Sequence, residues 1–164
     1  MNSGMSAEAI RLRVLEGRYT EAIALSRQLL ERYPNQLGPH VYMNLSYIEA
    51  GQAELALKNL RALETRFPPA RFFEVMALGK LGRNEEGLRL LRQLEAEYGK
   101  DTRVYRQWFA FACAGLGDHA ETLKWLEKSA DLHEFQVLTI AVNPAFAAMR
   151  NDPGFRALLK RIGL

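Results

Sequence analysis

Apolar residues recur along this chain at intervals of three and four positions, the spacing that aligns side chains on one face of a helix. In the stretch LGDHAETLKWLEKS, Leu123 and Leu126 follow Gly117 by six and nine positions, and most residues between them are polar. The same two offsets carry apolar residues after three earlier glycines, with Ser26 as the exception. Each of these segments is therefore predicted to be an amphipathic helix with one buried face.

The glycines themselves recur with a period close to 34 residues. They are 34, 31 and 35 residues apart, at Gly17, Gly51, Gly82 and Gly117. A small residue or a threonine stands five positions after each glycine, and a proline or glycine stands seventeen positions after the first three. Glycine ends a helix in the left-handed conformation without steric cost, and small residues let two helices approach closely. The period therefore predicts stacked helix–turn–helix units.

The repeat predicts an all-α protein, a solenoid of about four such units, because each unit can bury its apolar face only against a neighbour. The predicted repeat domain spans residues 6–134, with units at about 6–35, 36–68, 69–101 and 102–134. Residues 1–5 are expected to be disordered, either as a frayed end or as a remnant of expression.

Residues 135–164 are predicted to form short helices that cap the open end of the solenoid. Asn-Pro at 143–144 and Asp-Pro at 152–153 each pair an N-cap residue with proline at the first helical position. The helices expected here cover about 135–142, 144–150 and 153–162.

Two stretches, EGRYTEAI…ERYPN and AGQAELAL…TRFP, resemble tetratricopeptide repeats. The residues that match the pattern in order are Gly17, Tyr19, Ala22 and Pro34 in the first stretch, and Tyr47, Gly51, Ala56 and Pro68 across the second unit. The resemblance spans about residues 6–134. The fourth unit departs from it, with Thr122 and Glu134 where alanine and proline are usual.

The resemblance implies a right-handed superhelix of antiparallel helix pairs, whose concave face is lined mainly by the first helix of each pair. The ending NPAFAAMRNDPGFRALLKRIGL is similar to the C-termini of bacterial tetratricopeptide proteins. Some of those are the far ends of longer signalling chains that carry a DNA-binding, cyclase or kinase module upstream.

The first helix of each unit carries a candidate binding face. Positions nine and six before the glycines share one helical face, and in three successive units they hold an aromatic residue and a second large apolar residue. Exposed aromatic and methionine side chains are favoured anchors, and the charged residues at the rim are expected to orient a partner. The predicted groove residues are Arg11, Tyr42, Leu45, Glu49, Phe72, Phe73, Met76, Lys80, Trp108 and Phe111.

Two packings remain open for this face. In one, the groove is open and apolar. In the other, its residues are consumed internally, because the shorter third spacing rotates a helix and buries Phe73, or because Phe146 or Phe155 of the tail folds into the groove.

Composition narrows the class of protein. The chain has 164 residues, 48% hydrophobic and 25% charged, as is typical of soluble globular proteins. A net charge of +3 does not by itself indicate a nucleic-acid partner. The single cysteine, Cys113, excludes an intrachain disulfide and fits a reducing compartment. Neither an apolar run that could span a bilayer nor a secretory signal is present, so we expect a cytoplasmic protein without membrane contact.

No constellation of residues indicates catalysis. His40, His119 and His133 lack a helical metal-ligand spacing, and the chain has no glycine-rich phosphate loop or nucleophile elbow. Cys113 lies in the apolar segment FAFACAGLG and is interpreted as a core residue. We therefore expect a protein that is not an enzyme and that uses no cofactor or metal.

The sequence favours an interaction module, an adaptor, scaffold or chaperone-like protein that binds a peptide or amphipathic helix of a client protein in the groove. The basic cluster with which some tetratricopeptide domains hold a C-terminal carboxylate is missing, apart from Arg11. A regulatory or oligomerisation domain of a larger bacterial signalling protein is the main alternative, and a homo-oligomer is left open.

RNA binding by helical repeats is a weaker alternative. It requires basic residues and stacked bases along the groove. The arginines fall mostly on second helices, which are expected to face outward: Arg27, Arg32, Arg61, Arg66, Arg89 and Arg92.

Overall fold

The computed structural model describes residues 6–101 and 103–164, and every regular element in this part of the chain is a helix. The α-helices are α1 (Ala7–Leu15), α2 (Tyr19–Arg32), α3 (Leu37–Glu49), α4 (Ala53–Leu63), α5 (Ala70–Lys80), α6 (Asn84–Tyr98), α7 (Arg106–Gly115), α8 (His119–Asp131) and α9 (Pro153–Arg161). Two 3₁₀ helices, η1 (Phe135–Thr139) and η2 (Pro144–Met149), lie between α8 and α9. The prediction for residues 1–5 falls outside the described residues.

The first eight helices pack as four consecutive pairs, α1 with α2, α3 with α4, α5 with α6 and α7 with α8. The first helices of the pairs also contact one another in order, which stacks the pairs along the chain. One pair lies within each predicted unit. The predicted fold class, an all-α helical-repeat solenoid, is confirmed.

A shared turn joins the two helices of every pair. Its glycine has a φ between 72° and 78°, in the left-handed region. The amide of the next residue donates to the carbonyl oxygen five residues earlier, over 2.7–3.0 Å, which is the Schellman arrangement. The positions are Gly17, Gly51, Gly82 and Gly117.

The core consists of one large apolar cluster and one small one. Ile10, Val14, Ala22 and Leu29 form the small cluster within the first unit, and the large cluster runs from Ile23 of α2 into the tail. Tyr42 is half-buried and packs against both clusters. The first unit therefore contributes to both clusters, and α2 packs on α3 of the second unit.

Helices α5 and α7 approach each other until their backbones touch. A Cβ atom added at Gly79 would lie 2.1 Å from the carbonyl oxygen of Gly115, and one added at Gly115 would lie 2.4 Å from the Cα of Met76. Only glycine leaves room for this crossing.

In the fourth unit, the two residues that depart from the tetratricopeptide pattern, Thr122 and Glu134, form hydrogen bonds. Thr122 is buried, and its hydroxyl donates to the Asp118 carbonyl oxygen over 2.6 Å. The Glu134 carboxylate accepts the amide of Arg106 at 2.9 Å and the hydroxyl of buried Ser129 at 2.6 Å. Glu134 therefore caps the start of α7 and ties it to the end of α8.

The tail differs from its prediction in helix type. The expected helices at about 135–142 and 144–150 are 3₁₀ helices, and the first ends at Thr139. Both are short, and 3₁₀ geometry is common in short pieces. Both predicted N-caps before a proline are present. The side chain of Asn143 accepts the backbone amide of Ala145, and the side chain of Asp152 accepts that of Phe155.

The tail packs on the last helix pair, η2 against α7 and α9 against α8. Phe146 is fully buried and stacks on Phe111, with ring centroids 5.2 Å apart. None of the described helices combines the length and the apolarity that a bilayer crossing requires.

Candidate functional site

The first helices of the four pairs, together with the tail, enclose an apolar cavity of about 310 Å³, called the groove below. Its lining comes from α1, α3, α5 and α7, from the loops before α5 and α7, and from η1 and the residues after it. The volume lies at the lower end of the range for ligand pockets, about 300–1,000 Å³.

The structure brings six of the ten predicted site residues together around this cavity. They are Arg11, Tyr42, Leu45, Phe73, Trp108 and Phe111. Tyr42 and Trp108 are half-buried, whereas Leu45, Phe73 and Phe111 are only 6%, 1% and 6% exposed. The predicted stripe is therefore a groove floor that belongs largely to the core, with two partly exposed aromatic residues above it.

Phe72 and Met76 lie elsewhere. Both are fully buried and neither lines the groove. Phe72 packs edge-on against Phe109, with centroids 4.6 Å apart, and Met76 lies against the backbone of Gly115. Their burial follows from the position of α5, which packs on α3, α4, α6 and α7 and so has almost no free face.

Glu49 and Lys80 are also outside the groove lining. Their charged groups lie 4.0 Å apart, and the Glu49 side chain is only 11% exposed. Burial raises the pKa of Glu49 above its ordinary value, and the nearby ammonium of Lys80 acts in the opposite direction. Because Oε1 of Glu49 has no hydrogen-bond partner, this carboxylate is poorly solvated rather than poised at a binding rim.

The tail supplies a wall of the groove through residues that the sequence prediction did not name, since it considered only Phe146 and Phe155 of the tail as groove residues. Phe135, Gln136, Thr139 and Asn143 line the cavity. The side-chain amide of Gln107 donates to the backbone carbonyl oxygen of Gln136 over 3.2 Å and fixes this wall to α7. The apolar run at residues 135–142, directly after the fourth unit, is the sequence signal that could have indicated this wall.

The open-groove and filled-groove alternatives each describe part of the face. Phe146 of the tail does fill one part of it, by stacking on Phe111, whereas Phe155 belongs to α9, which packs on α8. The cavity remains beside the filled part, bordered by Phe135.

An aromatic cluster surrounds Trp108. Its ring centroid lies 5.2 Å from Tyr105, 6.0 Å from Phe67 and 6.5 Å from Phe73, all of which line the groove. Trp108 therefore supports the fold as well as the cavity, and we expect Trp108→Ala to weaken both.

The electrostatic character of the groove is simple. Among the described residues that line it, Arg11 alone is charged, and its guanidinium is bound to Glu8. That hydrogen bond lowers the pKa of Glu8 and raises that of Arg11. The Oε1 atom of Gln136 is buried and has no hydrogen-bond partner among the described residues.

Cys113 is fully buried, and burial raises the pKa of its thiol to about 12. A thiol that stays protonated is a poor nucleophile. Within residues 6–101 and 103–164, no group of three or more His, Cys, Asp or Glu side chains could hold a metal ion.

Residues 1–35 match a family model described as tetratricopeptide repeat. The comparisons with curated proteins and with solved structures returned no match. A tetratricopeptide repeat indicates a protein–protein interaction module, and the family is typically non-catalytic. Residues 1–35 are therefore similar to a tetratricopeptide repeat, and the four stacked helix pairs are consistent with a helical-repeat solenoid.

Proposed function

We propose that this protein is a non-enzymatic adaptor or chaperone-like module that holds an apolar segment of a partner protein in the groove. The observation that carries the proposal is a 310 Å³ cavity with partly exposed aromatic residues above an apolar floor and a single charged residue in its described lining. Such a site gains its affinity from burying a few large side chains.

The shape and chemistry favour an amphipathic helix or extended peptide that inserts its apolar anchors. The cavity is too small to enclose a helix, so the backbone of the partner would lie across its mouth. A nucleic acid fits poorly, because phosphate binding requires several basic residues and the described lining has only Arg11.

The test uses linear peptides selected on the immobilised protein from a random display library. Leu37 and Tyr105 line the groove and are 39% and 38% exposed, so glutamate at both positions should be tolerated by the fold. We expect the selected peptides to be rich in aromatic and large aliphatic residues. Their affinity should fall by about tenfold or more in Leu37→Glu/Tyr105→Glu, because each carboxylate would enter an apolar contact.

The matched control is Leu55→Glu/Leu88→Glu, at two positions that are each 39% exposed and lie outside the groove. It should bind the peptides as the wild type does, and circular dichroism should show both variants folded. Equal affinity for wild type, groove variant and control would overturn the proposal.

A further inference from the structure

The four most exposed large apolar side chains among the described residues all lie between positions 132 and 142. Phe135 is 68% exposed, Leu138 58%, Leu132 55% and Val142 54%. Scattered exposed apolar residues are ordinary, but a concentration of them in one short segment marks an interaction surface. These four residues are called the apolar ridge below.

The ridge does not result from poor packing of its segment. Val137 and Ile140, which alternate with the ridge residues, are 5% and 0% exposed and belong to the large core cluster. The segment is therefore anchored on its inner side, and its outer side is apolar where a solvated segment would carry polar residues.

The ridge borders a shallow depression at the C-terminal end of the solenoid. Phe135 and Leu138 line this depression together with Ile162, at the end of α9. Phe135 also borders the groove, so the two surfaces are continuous at this residue. The four ridge side chains alone expose on the order of 400 Å² of apolar surface, about half of what each partner buries in a standard interface.

Two carboxylates beside the depression are already bound within the chain, one by an ion pair and one by neutral hydrogen-bond donors. Arg161 binds Asp131 over 2.8 Å, and the Glu134 carboxylate is turned inward to Ser129 and the start of α7. The surface thus has no strong net charge to attract an oppositely charged partner or to repel a copy of itself.

We propose that the apolar ridge is the interface of a symmetric homodimer, in which the ridge of one copy packs against the ridge of the other. A two-fold interface requires a surface that is complementary to itself, and an apolar ridge beside the Arg161–Asp131 ion pair and an inward-turned Glu134 carboxylate meets that condition. This dimer does not depend on the peptide site. Because Phe135 borders both surfaces, the two grooves of the dimer lie near its interface.

The test is sedimentation equilibrium of the full chain over a wide concentration range. The wild type is expected to sediment at twice its 18.6 kDa mass. Leu132→Glu/Leu138→Glu should sediment as the monomer, because a symmetric interface brings the new carboxylates of both copies together. Neither leucine lines the groove, so this variant should keep the peptide affinity of the proposed function.

The control is again Leu55→Glu/Leu88→Glu, which has the same charge change at two exposed leucines outside the ridge and should remain a dimer. A wild type that sediments at 18.6 kDa at every concentration overturns the proposal, and would assign the ridge to a different partner. A ridge variant that remains dimeric overturns it as well.

A second measurement is independent of the glutamate variants. Cys113 is the one cysteine of the chain and is buried, so a cysteine at an exposed position is a single reporter. A short bismaleimide should join two copies of Leu138→Cys, but not two copies of Leu88→Cys. Equal cross-linking of the two variants, or none of Leu138→Cys, contradicts the symmetric ridge.

Discussion

At the end of α8, a histidine adopts a backbone conformation that the interhelical turns give to glycine. His133 has a φ of 54°, and the amide of Glu134 donates to the carbonyl oxygen five residues earlier, as in the four glycine turns. A residue with a Cβ is strained in this region by about 1–2 kcal/mol. The end of the fourth unit therefore adopts the geometry of the glycine turns at a cost in stability.

The strain at His133 gives a prediction with a built-in control. His133→Gly should raise the free energy of unfolding by about 0.5–1 kcal/mol, the strain relief less the larger entropy that glycine loses on folding. Gly51→Ala should lower it by about 1 kcal/mol or more, because alanine there must adopt a φ of 78°. Urea unfolding of the two variants measures both effects, and changes of the same sign would contradict this account.

Glu49 predicts how stability depends on pH. Its pKa is raised above the ordinary 4.5, so the folded state binds this proton more tightly than the unfolded state does. The stability it contributes is present below about pH 4.5 and is lost as pH rises through the folded pKa. Glu49→Gln, which stays neutral, should therefore be more stable than the wild type at neutral pH, by a margin that shrinks towards pH 4.

Unfolding curves of Glu49→Gln near pH 4 and pH 7 measure that margin. Glu85→Gln is the control, because Glu85 is exposed on α6 and the substitution removes the same charge. An equal margin at both pH values would show that titration of Glu49 is not involved.

Residue offsets predicted which side chains share a face, but not how many neighbours cover it. Spacing predicts that Tyr42 and Phe73 lie on equivalent helical faces, the resemblance to tetratricopeptide repeats predicts that this face lines the groove, and both residues do line it. Phe72 and Met76 were assigned to the same surface, yet both are buried because α5 lies between other helices. Exposure depends on long-range packing, which a local pattern does not contain.

At the level of elements, the helix pairs were predictable because glycine turns and apolar spacing are local signals. Their four left-handed glycines stand where the period placed them. The tail was less predictable, because short segments with one buried side are compatible with either helix type. The tail forms a wall of the groove through long-range contacts such as the hydrogen bond between Gln107 and Gln136. Neither residue belongs to the repeat pattern.

The Glu134 carboxylate links α7 to α8, and its removal is predicted to lower stability. Glu134 accepts the Arg106 amide and the Ser129 hydroxyl, and both donors are in buried residues. Glu134→Ala should lower the free energy of unfolding by about 2 kcal/mol, because both donors lose their acceptor. Glu134→Gln keeps one carbonyl acceptor and should lose less. Chemical denaturation ranks the three proteins, and an alanine variant as stable as the wild type would refute the role.

The whole molecule is expected to be unevenly stable. Ile10 and Val14 belong to the small cluster of the first unit, whereas α5 lies in the large one. In stacked repeats, a terminal unit has a neighbour on one side only, so it opens at lower free energy than a central unit. We expect the amides of α1 to exchange with deuterium well before those of α5, as resolved by mass spectrometry or NMR. Equal protection of the α1 and α5 amides would contradict this prediction, because it would mean that the small and large clusters unfold together.

The contact between Gly79 and Gly115 has a consequence for how this molecule can change over evolutionary time. The two glycines set the distance between α5 and α7, which carry Phe73 and Trp108 on the groove. Neither glycine lines the groove, so a ligand cannot touch them. A single added methyl group at either position would nevertheless wedge the helices apart and widen the site. Under the proposed function, substitutions at these two positions behind the groove would change ligand preference while every residue that lines the groove is retained.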